Sequence, residues 1–353
     1  MSTLPGTLLE HYSLRPPLRF FPVGQGMNSQ TVGVHTGSGD FLWKRYQPFH
    51  AEESIRYEHR LLGWLAKCSL SFAVAPPVAT ADGDTLWASD DGLYALFPFI
   101  PGEPADYTNP RQLENVGAGL AELHGALAGY PTAPRPEMSG FDALGSVHPA
   151  LPNPQALLPS HLHLPDREPF ASLLTWWREE VTTLQAFIDG PFQPLPRQVI
   201  HGDYVPSNTL HAGERLIGIV DFEFAGPDVR ALDVASGLYF SLRVWKEDDP
   251  WPRGEAFARG YLDGFDSGSR PNAVGHSRDR LADSRNQARL TDAERLALPW
   301  LMRLRNVVSK IFWLGRSLAD GTTEQKILEI GELGSFNRWL AANERRVLAL
   351  LGE

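Results

Sequence analysis

The spacing of apolar residues divides the chain into a strand-rich first part and a helical remainder. Alternating apolar and polar positions predict four strands in the first part, at residues 31–35, 41–46, 73–78 and 93–97. Between the second and third of these, apolar residues recur at helical intervals from about Glu52 to Lys67. A short sheet with one helix is therefore expected in the first hundred residues.

The helical period dominates the rest of the chain. It predicts helices at residues 112–129, 172–188, 228–242, 254–265, 292–318 and 336–351. A proline-rich stretch at 131–169 and a polar stretch at 266–289 lack a period and are expected to be loops. Residues 98–104 contain three prolines and one glycine, which is typical of a boundary between structural units. We expect an α+β chain with a small β-rich part at 1–97, a connector at 98–104 and a larger helical part at 105–353.

Composition narrows the classes of protein that fit this pattern. The chain has 353 residues, which is long enough for two lobes, and a net charge of −10, which argues against nucleic-acid binding. No apolar run approaches the roughly 20 residues that a membrane helix needs, and residues 1–6 lack the features of a secretory signal. The single cysteine excludes an intrachain disulfide. A cytoplasmic enzyme fits these observations.

The most informative polar pattern surrounds a predicted hairpin. Residues 209–211 and 216–220 are expected to be strands joined by a turn at 212–215. Asn208 precedes the first strand and Asp221 follows the second, so the hairpin brings both to its open end. Asp203 lies in the loop just before it.

Two carboxylates and one amide in this arrangement suit phosphoryl transfer. Asp203 is placed to accept the proton of an attacking hydroxyl, and Asn208 and Asp221 offer oxygen ligands for Mg²⁺. The alternative is that the two aspartates are turn residues around a hairpin. The spacing of Asp203, Asn208 and the Asp-Phe-Glu sequence at 221–223 favours the functional interpretation.

A second pair of residues suits the binding of a nucleotide's phosphates. Lys44 lies on a predicted strand, and Glu58 shares the apolar stripe of the following helix, where a buried carboxylate requires a partner. Glu52 and Glu53 are rival partners for the lysine. The alternative for Lys44 itself is a solvated surface position.

Two backbone segments are further candidates for nucleotide contacts. Gly24 and Gly26 precede the Lys44 hairpin, where amide groups of a glycine loop would face phosphates, although an ordinary turn is the alternative. In the connector, prolines cannot donate a hydrogen bond. A consistent pattern for adenine recognition therefore uses the Pro98 carbonyl as acceptor and the Ile100 amide as donor.

Three residues near the central motif are expected to support it rather than react. His201 follows an apolar strand, which favours a buried imidazole that hydrogen-bonds the backbone. Asp233 opens an apolar helix and is expected to anchor the catalytic loop. Arg230 is either the partner of Asp233 or a surface charge, and the sequence leaves both open.

These residues together give the chain a family resemblance. It resembles the aminoglycoside phosphotransferase and choline kinase-like enzymes, which share the protein-kinase fold, over nearly its whole length. The resemblance implies a small β-rich N-terminal lobe, a larger helical C-terminal lobe and ATP between them. It also implies Asp203 as the catalytic base, Asn208 and Asp221 as magnesium ligands, and Lys44 with Glu58 as the phosphate-positioning pair.

Two departures from protein kinases narrow the acceptor. Gly202 stands where those enzymes usually carry arginine, and Val205 where many carry lysine. The Asp-Phe-Glu sequence also leads almost directly into the next predicted helix, without a long activation segment for a peptide. We therefore expect a small hydroxylated acceptor. A catalytically silent nucleotide-binding scaffold and a protein kinase remain the alternatives.

Overall fold

The structure is a computed structural model that describes most of the chain. The described residues are 4–23, 29–47, 51–132, 135, 140–162, 168–246, 248–266 and 289–352. Gly24 and Gly26 of the predicted glycine loop lie outside these residues, as does most of the predicted loop at 266–289. Among the described helices, none combines the length and the apolar character that crossing a bilayer requires.

The first part of the chain forms a five-stranded antiparallel sheet in the order β1-β2-β3-β5-β4. Its strands are β1 (Leu18–Phe21), β2 (Ser29–Thr36), β3 (Gly39–Tyr46), β4 (Trp87–Ser89) and β5 (Gly92–Pro98). Helix α1 (Leu4–His11) contributes to a small apolar cluster with Trp43, and helix α2 (Glu52–Leu65) joins the main core with Tyr46. Because side chains alternate along β3, Lys44 shares the face of Tyr46.

The predicted strand at 73–78 is wrong. Pro76 and Pro77 have no amide hydrogen, so this segment cannot form a regular ladder. It makes one isolated parallel bridge instead, in which the Ala73 amide donates to the Ile217 carbonyl (2.8 Å) and the Ile219 amide donates to the Ala73 carbonyl (3.1 Å). This bridge attaches the first part of the chain to the hairpin of the second.

The second part is mainly helical. Its helices are α3 (Pro110–Leu127), α4 (Phe170–Asp189), α5 (Ala231–Leu242), α6 (Trp251–Asp266), α7 (Asp292–Asp320) and α8 (Thr323–Ala349). The prediction placed the last helix at 336–351, and the structure begins it at Thr323. In the described part of the predicted loop at 131–169 there are three short 3₁₀ helices, at 144–146, 154–156 and 159–162.

Short strands position the central hairpin between these helices. They are β6 (Glu103–Pro104), β7 (Arg197–Ile200), β8 (Thr209–Ala212), β9 (Arg215–Ile219) and β10 (Gly226–Val229). β8 and β9 form the predicted hairpin, and β6 pairs with β8, so the connector continues into the same sheet. β10 pairs with β7, which is why the helix predicted from 228 begins only at Ala231. The expected α+β class, strands first and helices after, is confirmed.

The close packing of α3 and α6 gives a test of the helical core. A Cβ atom on Gly260 of α6 would overlap the carbonyl oxygen of Glu114 on α3, whereas one on Gly125 of α3 would meet no atom within 4 Å. We expect Gly260→Ala to lower the free energy of unfolding by about 1–3 kcal/mol through overpacking. Gly125→Ala should raise it by about 0.5–1 kcal/mol, because alanine favours the helix. Chemical denaturation of both variants checks this, and equal stabilisation by the two would contradict the packing.

Candidate active site

The end of the β8–β9 hairpin brings Asn208 next to Asp221. A turn of 3₁₀ helix at residues 206–208 precedes β8, and the Asn208 amide donates to the Val205 carbonyl (2.9 Å). On the other strand, the Val220 amide donates to the Asn208 carbonyl (3.0 Å). Asp221 follows at once and has left-handed backbone geometry (φ 69°). The two residues therefore lie side by side, as the sequence predicts.

Asn208 also contacts Asp203. Its side-chain nitrogen donates to the Asp203 carbonyl (3.0 Å) and approaches the Asp203 carboxylate oxygen Oδ2 (3.4 Å). These contacts fix which end of the amide faces Asp203. The amide oxygen Oδ1 has no hydrogen-bond donor among the described residues, so it is available as an oxygen ligand.

The Asp221 carboxylate lies in an anionic environment. The pKa of Asp221 is raised to about 8, mainly because surrounding protein atoms displace water from the carboxylate. The charges of Glu223 and Asp203 contribute to this rise in the pKa, and Lys44 opposes it. The side chain is nevertheless exposed, so a cation can reach it. A carboxylate held among like charges gains most from a bound cation.

These donors fit a magnesium ion. The described residues contain no cluster of three or more His, Cys, Asp or Glu side chains that would hold a metal by themselves. Mg²⁺ commonly takes one or two protein carboxylates and completes its shell with phosphate oxygens and water. Asp221 and the free oxygen of Asn208 match that sparse ligand set.

The loop that carries Asp203 is held by Asp233 of α5. The two carboxylate oxygens of Asp233 accept hydrogen bonds from the backbone amides of His201 (2.7 Å) and Gly202 (2.9 Å). His124 Nε2 lies 3.3 Å from the same carboxylate, which is almost fully buried. Asp233 therefore anchors the loop, as its position at the start of an apolar helix predicts.

His201 has the structural role that its apolar neighbours indicate. The ring is buried, and burial lowers the pKa of His201, so it is neutral. Nε2 donates to the Val220 carbonyl (3.0 Å), and Nδ1 accepts from the Asp203 amide (3.3 Å). The imidazole thus ties the Asp203 loop to the end of the hairpin.

Lys44 lies between two carboxylates from different elements. Its ammonium nitrogen is 3.1 Å from Glu223 Oε2 and 3.9 Å from Glu58 Oε1, and all three side chains are buried. Burial opposes its charge, but Glu58 and the other anionic groups hold the pKa of Lys44 above its usual value. Of the rival partners, Glu52 pairs with Arg56 (2.8 Å), and Glu53 is exposed.

Glu223, the nearer partner of Lys44, was not predicted. It was visible only as the third residue of the Asp-Phe-Glu sequence, and nothing in the spacing indicates that its side chain turns towards a strand 179 residues earlier. Through this ion pair the segment after Asp221 is connected to β3.

Arg135 forms another connection that the sequence did not suggest. Its guanidinium donates to the Ser54 hydroxyl (2.8 Å) and the Ser54 carbonyl (3.1 Å) on α2, and to the Ala225 carbonyl (2.6 Å). One buried arginine thus joins α2 to the segment that follows Asp221. Its place in a proline-rich stretch without a helical or strand period gave no sign of this contact.

Asp203 itself makes an unexpected ion pair. Arg305 Nη2 of α7 lies 2.7 Å from Asp203 Oδ1. Arg230, for which the sequence left open a pairing with Asp233 or a surface position, has a buried side chain. It forms a two-pronged pair with Glu294 of α7 (2.7 and 2.9 Å).

In the connector, the Pro98 carbonyl and the Ile100 amide have the following backbone surroundings. The Phe99 amide donates to the Asp40 carbonyl on β3 (3.0 Å), so the flanking Pro98 carbonyl points to the opposite edge of β5 by strand alternation. On that edge the Leu96 carbonyl accepts from the Val78 amide (2.7 Å). The Ile100 amide donates to no carbonyl among the described residues.

A family profile described as the phosphotransferase enzyme family matches residues 20–271. Among curated proteins, the homoserine kinase of Brucella canis is 28% identical over 269 residues, which cover 72% of this chain and 73% of the relative. The family profile spans Lys44, Glu58 and the whole hairpin region. It confirms the predicted class, a small-molecule phosphotransferase.

Solved structures show the same fold at low sequence identity. A microcompartment-associated aminopropanol kinase matches with a TM-score of 0.62 at 16% identity, covering 96% of both chains. An amicoumacin kinase, solved with AMP-PNP and Ca²⁺, matches with a TM-score of 0.61 at 15% identity, covering 92% of this chain and 91% of its own. The predicted protein-kinase-like arrangement, a small β-rich lobe before a larger helical one, is confirmed.

Gly202 gives a test of the loop geometry. It has a φ of +80°, and a Cβ atom there would overlap the Phe224 carbonyl oxygen. Gly202→Ala should therefore displace the loop, lowering turnover at least about tenfold and stability by about 1–3 kcal/mol. Gly213 is the control, since its φ is +60° but no atom lies within 4 Å. Gly213→Ala should cost only about 1 kcal/mol and leave turnover unchanged; equal effects in rate assays and thermal unfolding would contradict the clash.

Proposed function

This chain belongs to the phosphotransferase enzyme family, and we propose that it transfers the γ-phosphate of ATP, bound with Mg²⁺, to a hydroxyl group of a small molecule. The observation that carries the proposal is the meeting of Asp203, Asn208 and Asp221 at one end of the β8–β9 hairpin. Asn208 contacts Asp203 directly and lies beside Asp221. A base and two oxygen ligands are thus available to one transferred phosphoryl group.

In this reaction Asp203 orients the acceptor hydroxyl and takes its proton. The acceptor oxygen forms a bond to the γ-phosphorus while the bond from that phosphorus to the bridging oxygen breaks, and ADP leaves with the electron pair. Asp221 and the Asn208 amide oxygen would hold Mg²⁺, which neutralises charge on the phosphates. Because Asn208 also binds the Asp203 backbone, the base and the ligand set keep a fixed spacing.

Lys44 supplies the positive charge for the α- and β-phosphates. Glu223 and Glu58 hold its ammonium group from two sides. This arrangement restricts the flexible lysine side chain before the nucleotide binds, which lowers the entropy lost on binding.

For the nucleotide base we propose the edge of the connector. The Pro98 carbonyl and the Ile100 amide would read adenine, and Gly24 and Gly26 would cover the phosphates. The nucleotide would then lie between an ATP-binding lobe at 1–97 and a catalytic lobe at 105–353, with 98–104 as the hinge. A nucleotide complex with the base bonded elsewhere would remove this part of the proposal.

The acceptor is a small molecule in this proposal because the described segment between Asp221 and α5 is too short to include an activation segment that would hold a peptide. β10 (Gly226–Val229) pairs with β7 and leads directly to α5 at Ala231, so there is no room for an activation segment. The relatives are named for homoserine, aminopropanol and amicoumacin. A useful panel therefore contains hydroxylated amino acids, amino alcohols and aminated antibiotics.

Replacing the proposed base gives the first functional test. Asp203→Asn should lower kcat by on the order of 10²–10⁴-fold, because the amide cannot accept the proton, while leaving the Kd for ATP within about twofold. Phosphorylated product detected by mass spectrometry and nucleotide binding by calorimetry measure the two quantities. Unchanged turnover would exclude Asp203, and nucleotide binding without any product from wild-type protein would favour a silent scaffold.

The two carboxylates beside Lys44 give a second functional test. Glu223→Gln should raise the KM for ATP about tenfold, a change of 1.4 kcal/mol, because Glu223 makes the shorter contact. Glu58→Gln should have a smaller effect, and Glu52→Gln, whose carboxylate pairs with Arg56, should have none. Initial rates against ATP concentration rank the three variants. A larger effect from Glu58→Gln would assign Glu58 as the main partner.

A further inference from the structure

The two carboxylate oxygens of Asp203 contact different partners. Oδ2 faces the side-chain nitrogen of Asn208 at 3.4 Å, and Oδ1 accepts from Arg305 Nη2 at 2.7 Å. Asn208 belongs to the proposed metal-binding end of the hairpin. Arg305 comes from α7 and approaches the oxygen on the other side, where an acceptor hydroxyl must enter if the phosphate lies beside the metal.

Arg305 is bound less completely than other arginines that are buried or partly buried. Arg230 holds Glu294 with two prongs, Arg303 holds Glu180 with two (3.0 and 2.7 Å), and Arg135 makes three hydrogen bonds. Arg305 makes one hydrogen bond, to Asp203, and its remaining N–H groups have no acceptor among the described residues. Its side chain is only 12% exposed. A guanidinium so little solvated retains capacity for a second, two-pronged anion.

Arg305 lies against an aromatic side chain that itself contacts a second one. The guanidinium carbon lies 4.5 Å from the centre of the Phe240 ring, which fixes its plane by a cation–π contact. Trp245, which is exposed, lies 6.0 Å from Phe240 between ring centres. A planar cation on an aromatic ring beside the base is a suitable receptor for a carboxylate.

We propose that Arg305 binds a carboxylate group of the acceptor, so that the substrate class is a small hydroxylated carboxylic acid. This inference rests on the proposed function of the same site. When the acceptor binds, its carboxylate takes the two-pronged position on Arg305 and displaces Asp203. Oδ1 of Asp203 is then free for the acceptor's hydroxyl.

The exchange makes the acceptor's charge a requirement for reaction. Without a carboxylate, Arg305 stays on Asp203 and competes with the hydroxyl for Oδ1. A neutral or purely cationic alcohol therefore meets a base that is already occupied. Arg305 is a specificity-determining residue in this scheme, and the γ-phosphate, on the side of Asn208 and Asp221, is not its ligand.

Matched pairs of acceptors test the proposal. The pairs are L-homoserine with 3-amino-1-propanol, L-serine with ethanolamine, and 4-hydroxybutanoate with 1-propanol, and each differs by one carboxylate. Wild-type protein should prefer the carboxylate member of at least one pair by about 100-fold in kcat/KM. Arg305→Met should lower kcat/KM for that member about 100-fold and leave its partner unchanged or faster, since Asp203 is released.

A surface arginine on the same helix is the control. Arg295→Met removes a guanidinium that pairs with the exposed Asp292, and it should change neither member of a pair. If Arg305→Met instead slows both members equally, Arg305 only positions Asp203 and the proposal is overturned. Preference of the wild-type protein for acceptors without a carboxylate overturns it as well.

A binding measurement separates this inference from the proposed reaction. With AMP-PNP and Mg²⁺ present, Asp203→Asn should bind the carboxylate acceptor at least about threefold more tightly than wild type, because the competing anion is gone. Arg305→Met should bind it at least about 30-fold more weakly. Absence of product from every acceptor contradicts the proposed function alone. Equal affinities in the three proteins contradict the role of Arg305, whether or not product forms.

Discussion

The site depends on the hydrogen bonds between the Asp233 carboxylate and two consecutive backbone amides. The amides of His201 and Gly202 point inwards because the backbone makes a left-handed turn at Gly202. Each would cost about 1–3 kcal/mol of folding free energy if it were buried without an acceptor. With both satisfied by one rigid side chain on α5, the next residue, Asp203, has a defined direction. The His201 ring then fixes the distance from this loop to the hairpin through Val220. The position of the proposed base is thus set by groups that never touch a substrate.

Local sequence was sufficient to predict the parts of the site that lie on one supersecondary element. Asn208 and Asp221 flank a hairpin. The alternating apolar residues and the turn residues that predict a hairpin are close together in the sequence. Their meeting therefore needed no knowledge of the rest of the fold. Asp233 was predicted for a similar reason, since a carboxylate at the start of an apolar helix close to the motif requires a nearby donor.

Contacts between distant elements could not be predicted in this way. The Lys44–Glu223 and Asp203–Arg305 pairs join residues 179 and 102 positions apart, and each depends on how whole elements pack. An arginine on one turn of a long helix has the same sequence appearance whether it pairs with an exposed aspartate, as Arg295 does, or with the proposed base. The prediction of a strand at 73–78 was wrong for the opposite reason. Its apolar pattern favoured a strand, but tertiary pairing with the hairpin at Ala73 and two prolines determined its structure.

The charges of the cleft explain why nucleotide, metal and acceptor would assemble together. Asp221, Glu223 and Glu58 place three carboxylates near the ammonium of Lys44. Repulsion from Glu223, Asp203 and Glu58 is part of what raises the pKa of Asp221. A free nucleotide would add negative charge to this site, whereas one carrying Mg²⁺ brings the cation that Asp221 lacks. The guanidinium of Arg305 has the complementary property, since it places a positive charge 2.7 Å from the Asp203 carboxylate. An acceptor with its own negative charge would therefore be stabilised beside Arg305 and repelled by the carboxylates on the side of Asp221.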